Sequence, residues 1–434
     1  MATAPDTEPN DTIDTRSKPP FLRRVRIRGY KSIAFCDVTL EPFTILVGRN
    51  ASGKSNFLDA LAFLRDVVNH GLHEAVRSHG GHDAILCRFS SATTVTIDIE
   101  GQIYASSRIP GTWILRSDDL WSVSYGLEID FSPDRYPRIV GEQVQLLRAD
   151  GEQTTSYTSK AGKVTWSGDT LTHPISNWAN SEKTILGMCF GNGPFTELSS
   201  YITSIATYNF NPEAMRRPQK PNPGSFLERD GSNLASVINT SGGVNETPID
   251  RVSRYLNVVT NSAEFTGTSA VGGYETLRFQ TRRGDGTVLE FDAASMSDGT
   301  LRVLAALVAA FQNIPPYGAP TIVAIEEPET SLHPAAMRAL VDALDEATLR
   351  TQVLLTTHSA EMLENPTIKP ENIRVVQMID GQTVIAPVDE ASIEIVRRNL
   401  DTLGGLERQN QLEPDLDDLD RQRHLSQNGQ VPKA

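Results

Sequence analysis

The sequence predicts an α/β protein built on a mixed, largely parallel central sheet, and three observations carry this prediction. In "TILVGRNASGKSNFLDAL" (44–61) a short apolar strand runs through a glycine-bracketed loop into a helix. Towards the other end, "TIVAIEEP", "PAAMRALVDALDEA" and "TQVLLTTHS" alternate apolar strands with a helix. Strands with no polar face, separated by helices, mark a parallel sheet covered on both sides. Between these ends, β-prone runs such as "TVTIDIEGQIYA" and "WSVSYGLEIDF" alternate with Gly, Ser, Asp and Pro turns, the texture of antiparallel strands.

Taken in order, residues 1–20 are polar and acidic and lack the basic start and apolar stretch of a secretory signal, so a disordered tail is expected. Residues 21–92 form the first half of the core. Three short strands in "FLRRVRIRGYKSIAFCDVTLEPFTILVGRN" precede a helix that ends at Gly71. Its apolar residues Phe57, Leu58, Leu61, Leu64, Val67 and Val68 recur at helical spacing. Residues 93–174 read as an antiparallel β subdomain, and 175–290 as a helical and irregular lobe broken at "RRPQKPNPGSF". The second half of the core, 291–400, opens with the helical "TLRVLAALVAAFQN". Residues 401–434 are acidic, with little apolar material, and a disordered tail is expected there too.

A chain of 434 residues suggests two lobes or a domain with a large insertion. No window approaches the ~18 consecutive apolar residues of a membrane span, so no membrane role is expected. Cys36, Cys87 and Cys189 lie far apart with no CxxC. That pattern argues against a disulfide framework or zinc site and fits a reducing cytoplasm. A formal net charge of −14 argues against a surface that grips nucleic acid all over. It leaves two local basic runs, "FLRRVRIRGYK" and "MRRPQK", for which DNA contact and plain solvated charge are both open readings.

Gly48, Arg49, Asn50, Ala51, Ser52, Gly53, Lys54 and Ser55 spell G-x4-G-K-S. Glycines at both ends let the backbone wrap closely, so that its N–H groups face phosphates. Lys54 is expected at the β- and γ-phosphates of ATP and Ser55 on Mg2+. The following helix N-terminus favours the same anion.

A phosphate loop needs carboxylates, and "TIVAIEEPETSLHP" supplies Glu326 and Glu327 at a strand end, where ligands collect in parallel sheets. We assign Glu326 to the metal shell and Glu327 as the general base for the attacking water. His358 closes the strand in "VLLTTHS" and is assigned to sensing the γ-phosphate. In "SMSDGTLRVLAALVAAF", Ser297 and Gly299 open an apolar helix. Ser297 reads as an N-cap, and also as an anion site aimed at a γ-phosphate.

This order of motifs resembles the ABC-type ATPase superfamily. The Glu-Glu pair, where Asp-Glu is usual, resembles one branch: the AAA-type ATPases akin to RecF, SMC heads and the OLD family. "RGYKSI", "GRNASGKSN" with Asn56 after the Ser, "SDGTLR", "IEEPETSLHP" and "TTHSAEML" carry the resemblance over roughly residues 22–400, with "YNFNPEAMRRP" and "LERDGSNLASVI" similar to the middle of these proteins. The resemblance implies an ABC-type P-loop NTPase head. It implies a head-to-tail homodimer, with ATP between Lys54 of one subunit and Ser297 and Gly299 of the other. It also implies a glutamine between the lobes, with Gln102 as first candidate and Gln143 and Gln145 as alternatives.

Four uses of ATP are weighed. The reduced signature and the long span between half-sites set aside a transporter motor. No sustained heptads point to long coiled-coil arms. The acidic stretch "EPDLDDLDRQ" in the last segment reads as solvated rather than as a nuclease centre. The favoured reading is a sensor or regulator for DNA-related work with a separate effector, such as a nuclease in an antiviral defence module. The alternatives are a compact RecF-like clamp and an ATP-driven dimerisation module with little turnover.

Overall fold

The computed structural model describes residues 22–428 apart from 90–91, 109–114, 134, 150, 152–153, 169–181, 190–192, 223–224, 241–247, 261–262 and 315–317. The tail expected over 1–20 lies outside the described residues.

Strands β1 (Leu22–Tyr30) and β2 (Ile33–Thr39) form an antiparallel hairpin in which Tyr30 faces Ile33. Its turn, Lys31-Ser32, places Lys31 at φ 48°. Strand β3 (Phe43–Val47) is buried at every residue and leads through the glycine loop into helix α1 (Lys54–His70). Gly71 ends that helix with φ 91°, its N–H bonding the carbonyl of Val67. Helices α2 (Leu72–Ser78) and α3 (His82–Ile85) bring the chain back to the hairpin, where Lys31 N–H donates to Ile85 O at 2.7 Å.

Five strands follow: β4 (Thr94–Arg108), β5 (Leu115–Asp130), β6 (Arg138–Arg148), β7 (Thr154–Lys160) and β8 (Lys163–Ser167). They continue the hairpin into a seven-stranded antiparallel sheet, β2-β1-β4-β5-β6-β7-β8. Alternate residues Val95, Ile97 and Ile99 share one apolar cluster with Phe57, Leu61 and Leu64 of α1. The β segment is therefore built onto the first half of the core rather than set apart from it.

Helix α4 (Pro194–Thr203) leads into β9 (Ile205–Tyr208), followed by α5 (Pro212–Arg216), α6 (Leu234–Thr240) and α7 (Pro248–Thr260). The stretch expected to be helical and irregular then departs from expectation. β10 (Glu264–Val271), β11 (Tyr274–Arg282) and β12 (Val288–Asp292) form a three-stranded antiparallel sheet. Much of it faces water, so its alternation is weak in sequence, and Phe265, Leu277 and Phe279 give it a buried apolar side.

Helix α8 (Asp298–Phe311) is apolar nearly all round and sits in the second core. After it come β13 (Ile322–Glu326), α9 (Pro334–Ala347), β14 (Gln352–Thr357), α10 (Ala360–Leu363), β15 (Ile373–Ile379) and β16 (Gln382–Pro387). The central sheet runs β16-β15-β3-β14-β13-β9. All neighbours are parallel except the β15–β16 edge pair. The C-terminal ends of β3, β14, β13 and β9 consequently lie along one edge.

The disordered tail expected from 401 is corrected over the described residues. After α11 (Glu390–Arg397), helices α12 (Leu403–Arg408) and α13 (Leu416–Asn428) are packed onto the core. A few anchors suffice: Leu403, Leu406, Leu412 and Leu419 are buried, and Gln422 donates to Ile385 O at 2.9 Å and accepts from Asp37 N–H at 3.0 Å. Among the described residues no helix is long and apolar enough to cross a membrane.

Candidate nucleotide site

The loop Gly48–Gly53 turns between the end of β3 and the start of α1. Its glycines are required by what lies behind them. A Cβ at Gly53 (φ 103°) would lie 1.9 Å from Thr383 Oγ1, and one at Gly48 would lie 2.1 Å from Val376 O. Both obstacles belong to β15 and β16. Lys54 is buried and donates to the carbonyls of Gly48 (2.6 Å) and Arg49 (3.0 Å). Burial pushes its ammonium below the usual range, against the pull of Glu327, Glu329 and Glu407.

A chain of hydroxyls fastens the loop. Thr383 Oγ1 donates to Ser52 O at 2.9 Å, so it accepts from Ser32 Oγ (2.6 Å), which in turn accepts from Asn56 Nδ2 (2.6 Å). Asn56, expected at the nucleotide, thus braces the loop through Ser32. Neither Ser32 nor Thr383 had a local signal beyond the K-S pair in "RGYKSI".

Across the site, Ser55 Oγ donates to Glu326 Oε2 at 2.6 Å, and Arg229 Nη2 donates to Glu326 Oε1 at 2.9 Å. Glu327 takes φ 43°, a strained value for a residue with a side chain, held by N–H bonds to Thr356 O (3.0 Å) and Oγ1 (3.3 Å). Its carboxylate lies 3.3 Å from His358 Nδ1, and both groups are partly exposed. Glu329, missed in the sequence, is buried and accepts from Thr357 Oγ1. Burial pushes its carboxyl above the usual range, and the charge of Glu327 adds to this.

Hydroxyl and carboxylate oxygens suit a small hard cation that keeps waters and phosphate ligands. Among the described residues no cluster of three or more His, Cys, Asp or Glu groups could hold a metal alone. Ser55 and Glu326, joined by their hydrogen bond, are the residues that would hold such a cation. Ser52 Oγ and Glu329 Oε2 are buried and find no hydrogen-bond partner among the described residues, which leaves both able to take a further bond.

Ser297 and Gly299 belong to a different constellation. Ser297 Oγ caps α8 by accepting from Thr300 N–H at 3.2 Å, and the residue is exposed. Gly299 is buried, and a Cβ there would lie 2.4 Å from Ser331 O. Among the described residues no hydrogen bond joins either to Gly48–Ser55. Gln102 accepts from Arg23, and Gln143 and Gln145 are exposed on β6. The basic runs carry internal partners: Arg24 pairs with Asp37, Arg26 with Glu100, Lys31 with Asp59 and Arg216 with Asp298. These pairs weaken the DNA reading of both runs.

Residues 43–109 and 167–364 match the family described as "AAA domain, putative AbiEii toxin, Type IV TA system", well over half of the chain. The chain belongs to this family. The matched parts of the AAA domain span the phosphate loop, the acidic strand and His358. This agrees with the AAA-type ATPase that the resemblance implied. The DNA replication and repair protein RecF of Arthrobacter sp. (strain FB24) is 26% identical over 129 residues, 28% of this chain and 32% of that protein. The chain thus spans about a third of that relative's length. Solved structures similar to it include the SMC head domain from Thermotoga maritima (14% identity, 85% of this chain and 99% of that one, TM-score 0.39). Another is the Pyrococcus furiosus Smc head domain with an extended coiled coil, bound to the C-terminal domain of ScpA (13% identity, 88% and 100%, TM-score 0.47).

One group at the site lies beyond the matched segments of the AAA domain. Gly404 of α12 packs so closely on α10 that a Cβ would lie 2.3 Å from Ala360 O. One turn on, Glu407 comes within electrostatic reach of Lys54 and His358. Burial raises its carboxyl, against the pull of Lys54 and His358. Nothing in the polar, acidic sequence of this segment announces such a role.

Proposed function

We propose that this chain binds ATP with Mg2+ and hydrolyses it, and that two copies close head-to-tail around the nucleotide. The Ser55–Glu326 hydrogen bond carries the reading, because it joins the phosphate loop to the acidic strand across 271 residues of sequence. Loop N–H groups and Lys54 bind the phosphates, and the N-terminus of α1 adds its partial positive charge. The cation, when bound, neutralises charge on the β- and γ-phosphate oxygens. Ser55 and Glu326 hold it. Glu327 orients the attacking water and takes its proton, and His358 fixes the Glu327 carboxylate.

The exposed Ser297 cap at the start of α8 supports the dimer, since it leaves this residue accessible to a second copy. The relation to RecF supports DNA as the regulator, and the toxin–antitoxin description of the family supports a second protein as partner, for which we propose an effector such as a nuclease. Phosphate release should therefore be measured with and without duplex DNA for wild type, Lys54→Ala and Glu327→Gln. Hydrolysis lost in both variants and stimulated by DNA in wild type is the expected result. Hydrolysis that persists in Glu327→Gln removes Glu327 from the chemistry. Wild-type hydrolysis indifferent to DNA removes the DNA reading.

A further inference from the structure

Arg229 lies in "LERDGSNLASVI", a stretch that the phosphate-site reading leaves without a role. Its backbone is fixed at the end of β9. Asn209 N–H donates to Arg229 O at 2.9 Å and Asn211 N–H to Asp230 O at 3.0 Å. The turn behind it is closed by Gly231 N–H on Glu228 O (2.9 Å) and by Glu228 N–H on Asn233 Oδ1 (2.7 Å). Gly231 has φ 80°, and a Cβ there would lie 2.8 Å from Met215 Sδ. From this rigid base the guanidinium crosses to the neighbouring strand β13. Nη2 bonds Glu326 Oε1 at 2.9 Å, and Nη1 lies 4.0 Å from Asp59 Oδ1 on α1. The Arg229 side chain is 52% exposed and Glu326 12%. On its open side Arg229 borders a polar cavity of about 780 Å³ shared with Asn209, Asn211 and Arg302.

We propose that Arg229 is a positioning residue for the metal site. This inference rests on the ATP·Mg2+ reading above. Glu326 has two oxygens. Arg229 takes one, which turns the other towards Ser55. Through Asp59 the same guanidinium ties the acidic strand to the helix that follows the phosphate loop. Asp59 is itself held by Tyr30 OH (2.6 Å), Lys31 Nζ (2.5 Å) and His79 Nδ1 (3.1 Å), so the carboxylate that Arg229 leans on is not free to move. A carboxylate that serves a cation is commonly oriented by such an outer partner, and loss of that partner weakens metal binding about 10–100-fold. The opposing effect is repulsion between guanidinium and cation. Solvent screens it at a half-exposed side chain, so orientation dominates.

The test is binding of a fluorescent ATP analogue titrated with Mg2+, with a parallel titration in EDTA. Arg229→Ala should raise the Mg2+ midpoint about 10–100-fold and leave binding in EDTA at the wild-type level. Arg229→Lys should recover part of the shift, because one ammonium reaches Glu326 but does not span to Asp59. Adding Arg229→Ala to Glu326→Gln should cost nothing more than Glu326→Gln alone. A midpoint in Arg229→Ala equal to or below that of wild type overturns the inference. If Arg229→Ala does not fold, Arg229→Lys and the double variant built on it carry the same comparison. Wild type that binds no nucleotide at any Mg2+ concentration removes the ATP reading itself, and this inference with it.

Discussion

Replacing Thr383 with valine tests whether the phosphate loop owes its shape to the strand behind it. Thr383 is 1% exposed, and its hydroxyl makes two bonds, to Ser52 O and from Ser32 Oγ. Valine keeps the volume and removes the hydroxyl. Ser52 O then loses its side-chain donor, and the Ser32 hydroxyl loses its acceptor. Leaving one buried group unsatisfied costs about 1–3 kcal/mol, and the mostly buried Ser32 adds about 0.5–1 kcal/mol. Part of this cost falls on loop geometry, and about 1–2 kcal/mol there lowers nucleotide affinity roughly 5–30-fold. Urea unfolding and fluorescent-nucleotide binding measure the two parts separately. Thr383→Ser, which keeps the hydroxyl, should lie close to wild type in both. Thr383→Val within about 0.5 kcal/mol of wild type, with unchanged affinity, would refute the brace.

Three further outcomes follow from the same contacts. Glu407→Gln removes a negative charge near Lys54 and His358, so ATP should bind about fivefold more tightly, the effect of about 1 kcal/mol from a screened charge; titration at low and high salt checks it, and unchanged or weaker binding contradicts it. His79 faces Asp59 and Asp66 on its two nitrogens; burial opposes the charges, but the hydrogen bonds outweigh it, raising the histidine and lowering both carboxylates. The histidine contribution is full below about pH 6.5 and is lost as pH rises through the folded value, while the carboxylate contribution is present above about pH 3.9 and lost on acidification. His79→Gln should therefore flatten the alkaline flank of the stability profile, and a profile merely shifted down in parallel contradicts the assignment. Glu142→Ala should cost about 3 kcal/mol or more, because Tyr125 OH, Tyr157 OH and the N–H groups of Ile185 and Leu186 all donate to this buried carboxylate; a loss below about 1 kcal/mol in chemical denaturation would contradict it.

The parts of the site legible in sequence are those written by neighbours in the chain. Apolar β3, the glycine spacing and the helix pattern announce the phosphate loop. Four apolar residues before Glu326 place the acids at a strand end, and the same logic places His358. The remainder arises from contacts across hundreds of residues. Ser32 meets Thr383 across 351 positions and Thr383 meets Ser52 across 331, so no window contains both partners. Glu329 reads as one more polar residue of a loop until its burial beneath Thr357 is seen. The positive φ of Glu327 leaves no trace in composition. Helices α12 and α13 were hidden because a few well-placed leucines fold a segment whose average is acidic and polar.

We propose that Lys54, Ser55, Glu326 and Glu327 form one ATP-hydrolysing site that closes between two chains. Single-turnover phosphate release with ATP·Mg2+, with mass read by light scattering on the same samples, tests it most directly. Release by wild type, no nucleotide binding by Lys54→Ala, and an ATP-loaded dimer of Glu327→Gln that releases no phosphate are the expected results. Release by Glu327→Gln at the wild-type rate, or an ATP-loaded Glu327→Gln that stays monomeric, would contradict it.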